Sequence, residues 1–303
     1  MPDTAAATAA ADREAIGDIP NPLGLHGIEY IEYTTAQPQA LGHVLELAGF
    51  HPVARHRSRE VMLYRQGPMN LVVNAEPGVV QRTAARADGA PFISALALRV
   101  RDARSAYQRA LDLGAWEVPS HAQAMELNVP GIHGPGGTHL YFVDRWQDFS
   151  IFDIDFKPVP GVVPKPPAVP GLHYFGVVQY IGVGRTDDWI SFYRRLLGFA
   201  PLPAHQRFGI LPKGTLLQSP CDAAVRLYLQ LIEPEPDAAG EGKDDERFQR
   251  IGFGTADVPG AVAALARRGL EFVESADVHV TERGAITRHF LGGVVFELVH
   301  DER

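Results

Sequence analysis

Cysteine is nearly absent from the sequence, since Cys221 is the only one in 303 residues. One thiol cannot form an intrachain disulfide, and it cannot supply the paired ligands of a Cys-x-x-Cys zinc site. Because this usage suits a reducing compartment, we expect a cytoplasmic protein. Cys221 follows Pro220 in a turn-like stretch, and we interpret it as an inert thiol.

Basic charge and long apolar runs are also scarce. The sequence has 28 Lys and Arg against 36 Asp and Glu, a formal net charge of -8. A nucleic acid or an anionic membrane would need a clustered basic face, so we expect neither as a partner. No segment approaches the roughly 20 apolar residues of a membrane-spanning helix. Residues 1–20 lack the basic start and apolar core of a signal peptide, and we interpret them as a flexible tail.

Common catalytic motifs are missing as well. GxxxxGK[ST], HExxH and GxSxG do not occur, and the glycine pair Gly182 and Gly184 lacks the third glycine of a dinucleotide-binding turn. The 12 histidines include no His-x-His or His-x-x-x-His pair. Spacing alone therefore marks no nucleotide, metal or nucleophile site.

Hydrophobic residues, at 46%, suffice for real cores in a chain with room for two domains. The order strand, helix, strands occurs repeatedly in each half, and the same landmarks recur. These are Gly49–Phe50 with Gly198–Phe199, Asp102 with Asp257, and Gly136–Gly137 with Gly292–Gly293. We therefore predict a tandem duplication with an α+β fold, in which helices cover one face of each sheet.

The domain boundary is predicted from proline. Residues 157–171, KPVPGVVPKPPAVPG, contain six prolines, which no helix or central strand tolerates. We interpret 158–170 as a stiff linker between an N-terminal domain, 21–157, and a C-terminal domain, 171–303, that carries the site.

Periodicity predicts the main elements. Helices are expected over Pro38–Phe50, from Asp102 to Gly114, from Asp257 to Gly269, and over Asp187–Phe199 with Thr186 as its N-cap. Strands are expected at Gly27–Thr35, Phe208–Leu211, Val225–Ile232 and in the hairpin of Ile286–Leu291 with Val294–Val299.

The last strand, in GGVVFELVH at Gly292–His300, carries an acid among apolar residues. Alternation places Glu297 on one face and Phe296 and Leu298 on the other. A buried carboxylate costs several kcal/mol unless a cation, a metal or hydrogen-bond donors meet it. Either this strand is an edge and Glu297 faces water, or another group meets Glu297.

Long runs resemble a known family. They are VMLYRQGPMNLVVNAEPG at Val61–Gly78, MELNVPGI at Met125–Ile132, THLYFVDRW at Thr138–Trp146 and IFDIDF at Ile151–Phe156. The duplicated units resemble the vicinal oxygen chelate superfamily of glyoxalases and extradiol dioxygenases. More narrowly, the chain resembles bacterial 4-hydroxyphenylpyruvate dioxygenase from Pro20 onward, more weakly after Gly171. The resemblance implies tandem βαβββ modules in two domains, each an open curled sheet with helices outside.

The resemblance also implies a metal site, which this sequence alters. In the family, two histidines and a glutamate hold Fe(II) in the C-terminal domain. The glutamate position is Glu297 here, the second histidine position is Arg250, and the first is Val177 or Val178. Valine and a protonated guanidinium cannot ligate a metal. We therefore expect the triad to be reduced to Glu297, with no metal cofactor.

The replacement suggests its own chemistry. We hypothesise that Arg250 and Glu297 pair where iron would stand, or that Arg250 holds a substrate carboxylate while Glu297 acts as base. The alternative is a structural salt bridge without chemistry. The ligand predicted from the resemblance is a small aromatic or keto-acid anion, with Gln230, Tyr228, Gln179 and Arg288 as its further binding residues.

The first half shows no better site. The resemblance implies that its domain is not catalytic, and the three corresponding positions are read as Glu29, Ala95 and Tyr141. His26 and His139 lie nearby in sequence, and we interpret both as structural.

Three functions remain open. The first is a metal-independent lyase or isomerase that uses Glu297 and Arg250. The second is a non-catalytic binding or sensor protein for a small molecule. The third is a dioxygenase whose Fe(II) or other divalent metal is held by rearranged ligands, Glu297 with His173 or His289. By analogy with such dioxygenases, a homodimer is expected.

Overall fold

The computed structural model describes residues 19–83, 89–120, 122, 126–169, 171–203, 209, 214–234, 246–275 and 278–303. Strands of the first half are β1 (Ile28–Thr34), β2 (His51–His56), β3 (Val61–Gln66), β4 (Met69–Asn74), β5 (Phe92–Arg99), β6 (Gly131–His133), β7 (His139–Val143) and β8 (Phe156–Pro158). Its helices are α1 (Pro38–Leu47), α2 (Pro77–Thr83), α3 (Ala103–Asp112) and the short α4 (Phe152–Asp155).

The second half repeats this order. Its strands are β9 (His173–Tyr180), β10 (Ala200–Pro201), β11 (Thr215–Gln218), β12 (Tyr228–Ile232), β13 (Arg247–Thr255), β14 (Gly284–Ile286) and β15 (Phe296–His300). Its helices are α5 (Thr186–Leu197) and α6 (Val258–Ala266). No helix in the described part of the chain is long and apolar enough to cross a membrane.

The strands form two open sheets. The first has the order β6-β7-β5-β1-β4-β3-β2-β8, and the second has the order β10-β11-β12-β9-β13-β15-β14. In each sheet one central antiparallel pair, β1 with β5 or β9 with β13, joins two strand–helix–strand modules. The predicted α+β fold of tandem modules is therefore confirmed.

Two helix starts follow the sequence signals. Asp102 accepts a hydrogen bond from the Ser105 amide at 2.6 Å, and Asp257 accepts one from the Gly260 amide at 2.9 Å. These carboxylates cap the first turns of α3 and α6, where backbone N–H groups have no partner within the helix.

Other predicted boundaries need correction. Thr186 is the first residue of α5 and not its N-cap, because its amide and hydroxyl both donate to the Glu233 carboxylate. α5 ends at Leu197 since Gly198 adopts a φ of 78°.

Helix α1 stops at Leu47, and the predicted strand Val225–Ile232 begins only at Tyr228, after a 3₁₀ turn. The strand predicted at Phe208–Leu211 falls outside the described residues, except for Gly209, which is in a turn.

The proline-rich segment lies along the turn between β3 and β4. Pro166 accepts a hydrogen bond from the Gly67 amide at 2.9 Å, and Pro164 accepts one from Arg65 Nη1 at 2.8 Å. The Val169 amide donates to Gln66 Oε1 at 2.9 Å. These contacts attach the segment to the first half.

The two halves share one hydrophobic core. A single cluster of buried side chains includes Leu41 and Phe50 of the first half and Trp189 and Phe253 of the second. The Phe50 and Phe253 rings lie 5.9 Å apart. In addition, the Tyr174 hydroxyl donates to the Asn70 carbonyl oxygen at 2.5 Å. Packing, and not only the linker, therefore fixes the relative position of the sheets.

Gly136 provides a test of this packing. It has a φ of 56°, and a Cβ added there would lie 1.5 Å from the Glu246 carbonyl oxygen of the other half. Gly114 has a φ of 90° and nothing within 4 Å of such a Cβ. We expect Gly114→Ala to lower the free energy of unfolding by roughly 1–2 kcal/mol for the backbone alone. Gly136→Ala should lower it further, by about 1–3 kcal/mol, because of the steric overlap.

Chemical denaturation of both variants measures this difference. Equal effects of the two substitutions would contradict the close approach of the halves at Gly136.

Candidate functional site

The two faces of the second sheet are chemically different. Val177, Ile251 and Phe296 belong to the shared core with Tyr193 and other residues of α5. The opposite face, here called the inner face, carries the neighbouring residues Val178, Arg250 and Glu297. Pairing of β13 with β9 sets Arg250 opposite Val178, and pairing with β15 sets Gly252 opposite Glu297. Val178, and not Val177, is therefore the residue beside Arg250.

Arg250 and Glu297 form a buried ion pair. Arg250 Nε donates to Glu297 Oε2 at 2.7 Å, and the side chains are 2% and 0% exposed. β15 lies between β13 and β14, so the possibility that Glu297 faces water on an edge strand is excluded. The charge-assisted hydrogen bond from Arg250 offsets the free-energy cost of burying the Glu297 carboxylate.

The guanidinium keeps an unused donor. Arg250 Nη1 donates to Gln249 Oε1 at 2.9 Å, whereas buried Nη2 has no hydrogen-bond partner among the described residues. Leaving a buried donor unpaired costs about 1–3 kcal/mol. Such a group in a folded protein calls for an explanation, and a ligand oxygen is one.

Gly209 packs directly against the carboxylate. A Cβ added to Gly209 would lie 1.9 Å from Glu297 Oε1, and its φ of 55° favours glycine. Backbone atoms thus approach Glu297 more closely than any larger residue would allow. This contact restricts access to the pair.

Two of the predicted binding residues share the inner face with the pair. Gln230 lies opposite Val178 in the pairing of β12 with β9. Tyr228 stacks on Phe175, with ring centroids 4.6 Å apart. The inner face thus combines a guanidinium, a carboxylate, an amide and an aromatic wall.

The other two predicted binding residues, Gln179 and Arg288, do not lie on the inner face. Gln179 is on the opposite face of β9, where its Oε1 accepts a hydrogen bond from the Tyr193 hydroxyl at 2.7 Å. Arg288 is 66% exposed and pairs with Glu271 at 3.4 Å. The reason is that β14 ends at Ile286, so the chain leaves the sheet before Arg288. The structure does not bring these side chains to Glu297.

The proposed rearranged metal ligands are not assembled. His173 Nε2 lies 3.0 Å from Asp301 Oδ2, and its Nδ1 lies 3.1 Å from the Gly171 carbonyl oxygen. His289 is exposed. Within the described ranges no group of three His, Cys, Asp or Glu side chains could hold a metal ion.

The residues at the family's metal position do not fit an iron centre of two histidines and a glutamate. Glu297 is paired with Arg250, a group that carries positive charge at all ordinary pH and has no lone pair to donate. Val178 offers only methyl groups. The absence of a metal cofactor stays a prediction.

In the first sheet the corresponding positions differ from the sequence-based reading. In the first sheet Glu32 pairs with Ala95, and in the second sheet the equivalent pair is Val178 with Arg250. Likewise Ala97 pairs with Tyr141 in the first sheet, and Gly252 pairs with Glu297 in the second. Glu32 therefore takes the position read as Glu29. The pairing of Glu32 with Ala95 gives this assignment, and Glu29 pairs with Arg99 at 2.6 Å.

A double-mutant cycle tests the ion pair. Removing one partner of a buried pair strands the other charge, so Arg250→Met and Glu297→Gln should each lower the free energy of unfolding by about 3 kcal/mol or more. The double variant Arg250→Met/Glu297→Gln should cost less than the sum of the single effects. Denaturant unfolding gives all three values. Additive costs would mean that the two side chains do not interact.

Family comparisons agree with this architecture. Residues 19–157 match the family model for the N-terminal part of hydroxyphenylpyruvate dioxygenase. Residues 171–297 match the model of the glyoxalase, bleomycin resistance protein and dioxygenase superfamily.

Individual relatives agree as well. Hemolysin VllY of Vibrio vulnificus is 34% identical over 86% of this chain and 76% of its own length. A 4-hydroxyphenylpyruvate dioxygenase of Pseudomonas aeruginosa is 33% identical over 86% of this chain and 74% of its own. The solved structure of a mutant 4-hydroxymandelate synthase from Streptomyces coelicolor is similar in fold. Its TM-score is 0.71 at 20% identity, covering 92% of this chain and 94% of that one.

Proposed function

Since the chain belongs to the 4-hydroxyphenylpyruvate dioxygenase family of vicinal oxygen chelate proteins, we propose that its C-terminal half binds a small aryl keto acid without iron. The observation that carries the proposal is Arg250, which stands at a metal-ligand position of the family with one buried donor unused. A cytoplasmic homodimer is part of the same proposal.

A carboxylate is the ligand group that best suits this donor. A guanidinium presents its N–H groups in a planar fork that matches a carboxylate. In Arg250, Nε donates to Glu297 and Nη1 donates to Gln249, so that Nη2, which has no partner among the described residues, is available to a ligand oxygen. Water is excluded from this buried position, so the added hydrogen bond is worth more than at the surface.

An aryl group suits the rest of the inner face. The stacked rings of Phe175 and Tyr228 offer a wall, and Gln230 adds an amide beside it. Several relatives are named for 4-hydroxyphenylpyruvate, an aryl keto acid. The ligand would displace the contact between Gly209 and Glu297.

The pair can also transfer a proton. With the carboxylate of an arylpyruvate on Arg250, Glu297 would accept a proton from the carbon next to the keto group. The C–H electron pair becomes the enol double bond, the π pair of the carbonyl moves onto its oxygen, and that oxygen takes the proton back from Glu297. The step is therefore an isomerisation without an oxidant. This chemistry requires only residues that the chain supplies.

Binding is tested with phenylpyruvate by isothermal titration calorimetry. We expect Arg250→Met to weaken binding by about tenfold or more, because a charge-assisted hydrogen bond is lost. Glu297→Gln should retain binding, since the guanidinium remains. Arg288→Met, which removes an exposed arginine that pairs with Glu271 and not with Glu297, is the matched control and should change nothing.

Metal analysis of protein purified without chelator accompanies this titration. One equivalent of a transition metal per chain, lost on Glu297→Ala, would contradict the proposal and favour a dioxygenase with rearranged ligands.

Proton transfer is tested separately in D₂O. We expect the protein to accelerate deuterium incorporation at C3 of phenylpyruvate above the rate in buffer, as followed by proton NMR. Glu297→Gln should remove the acceleration while leaving binding, because an amide cannot act as the base. Binding without any acceleration by the unaltered protein would instead identify a non-catalytic binding protein.

A further inference from the structure

The first half contains a cavity that the proposed function does not use. It has a volume of about 480 Å³, within the range typical of small-molecule sites. Strands β1, β3, β4, β5 and β7 form its floor, and α4 and part of 118–129 close its sides. By strand register, its floor corresponds to the inner face around Arg250 and Glu297.

Glu32 is the exceptional group in this cavity. Its Oε1 accepts hydrogen bonds from Ser94 Oγ at 2.9 Å and from Asn74 Nδ2 at 3.2 Å. Both donors are neutral, and in the described part of the chain Oε2 has no partner and Glu32 has no ion pair. Burial raises the pKa of the Glu32 carboxyl, and the hydrogen bonds from Ser94 and Asn74 lower it only in part.

The other charges along the cavity wall already have partners. Arg59 is held by a short ion pair with Glu126, and Asp155 pairs with Arg57 at 2.9 Å. Arg59 also acts on Glu32 through space, more weakly than burial does. Burial lowers the pKa of His56, which favours its neutral form. Among the described residues that line the cavity, the carboxyl left without a counter-ion is therefore that of Glu32.

Aromatic rings surround this carboxyl. Tyr30, Tyr141, Phe152 and Phe156 line the cavity, and the Tyr30 and Phe152 rings meet edge to face at 6.0 Å. The faces of such rings attract cations and stack on other rings. An unpaired carboxyl within an aromatic wall is the combination that recognises an organic ammonium ion.

We propose that this cavity of the N-terminal half binds a small aromatic amine in its protonated form, with the ammonium group on Glu32 Oε2 and the ring among Tyr30, Phe152 and Phe156. The ligand supplies the missing counter-ion and fills apolar space. This site is independent of Arg250, and its ligand has the opposite charge to the keto acid proposed for the other half.

Three probes of similar size test the proposal by calorimetry: 2-phenylethylamine as the cation, 2-phenylethanol as the neutral compound and phenylacetate as the anion. We expect the amine to bind at least about tenfold more tightly than the alcohol, the loss typical of one charge-assisted hydrogen bond. Phenylacetate should not compete with the amine.

Variants locate the binding. Glu32→Gln keeps the shape but removes the charge, and it should weaken amine binding by about tenfold or more. Glu60→Gln removes one exposed carboxylate and is the charge-matched control, expected to have no effect. Val72→Phe, at the residue paired with Glu32 in the sheet, should reduce binding of the amine and the alcohol alike by filling the cavity. Arg250→Met should leave amine binding unchanged.

Three outcomes would overturn the proposal. One is that none of the probes binds, and another is that phenylacetate binds more tightly than the amine. The third is that Glu32→Gln, shown to be folded by its circular dichroism, binds the amine as well as the unaltered protein. Loss of phenylpyruvate binding in Arg250→Met does not bear on this site, so the two proposals fail or succeed separately.

Discussion

The buried charge of Glu297 is the constraint on which the second half depends. A carboxylate in the middle of a sheet is tolerable only with a close counter-charge, and Arg250 supplies it at 2.7 Å. That pairing does not fit an iron centre of two histidines and a glutamate, and the absence of a metal stays a prediction. Among the described residues, one guanidinium nitrogen has no partner, so the same interaction is both a structural element and the centre of the proposed ligand site.

The two halves repeat one fold but present opposite chemistry at equivalent positions. Around Arg250 the inner face is closed by Gly209 and neutralised by an ion pair. Around Glu32 the equivalent face opens into a cavity with an uncompensated carboxyl. Equivalent strand positions carry different side chains, with Val178 and Arg250 in one sheet and Glu32 and Ala95 in the other, and Gly209 covers only the second sheet's pair. Duplication thus supplied two curled sheets, and we propose a separate ligand for each.

The shared core limits how independently the halves can behave. Phe50 and Phe253 pack together, Tyr174 donates to Asn70, and Gly136 lies against the Glu246 backbone. These contacts involve β9 and β13, the same strands that carry Val178 and Arg250.

The sequence by itself determined the α+β duplication, the helix starts at Asp102 and Asp257, and the proximity of Arg250 to Glu297, because these follow from local periodicity, capping and a specific family resemblance. Only the tertiary structure decided which neighbours meet. The pairing of β1 with β5 places Glu32, and not Glu29, opposite Ala95. Alternation sent Gln179 to the helix side, and the early end of β14 left Arg288 in solvent. A bulge or a strand end of one residue reverses the direction of a side chain, and local sequence patterns do not specify such shifts.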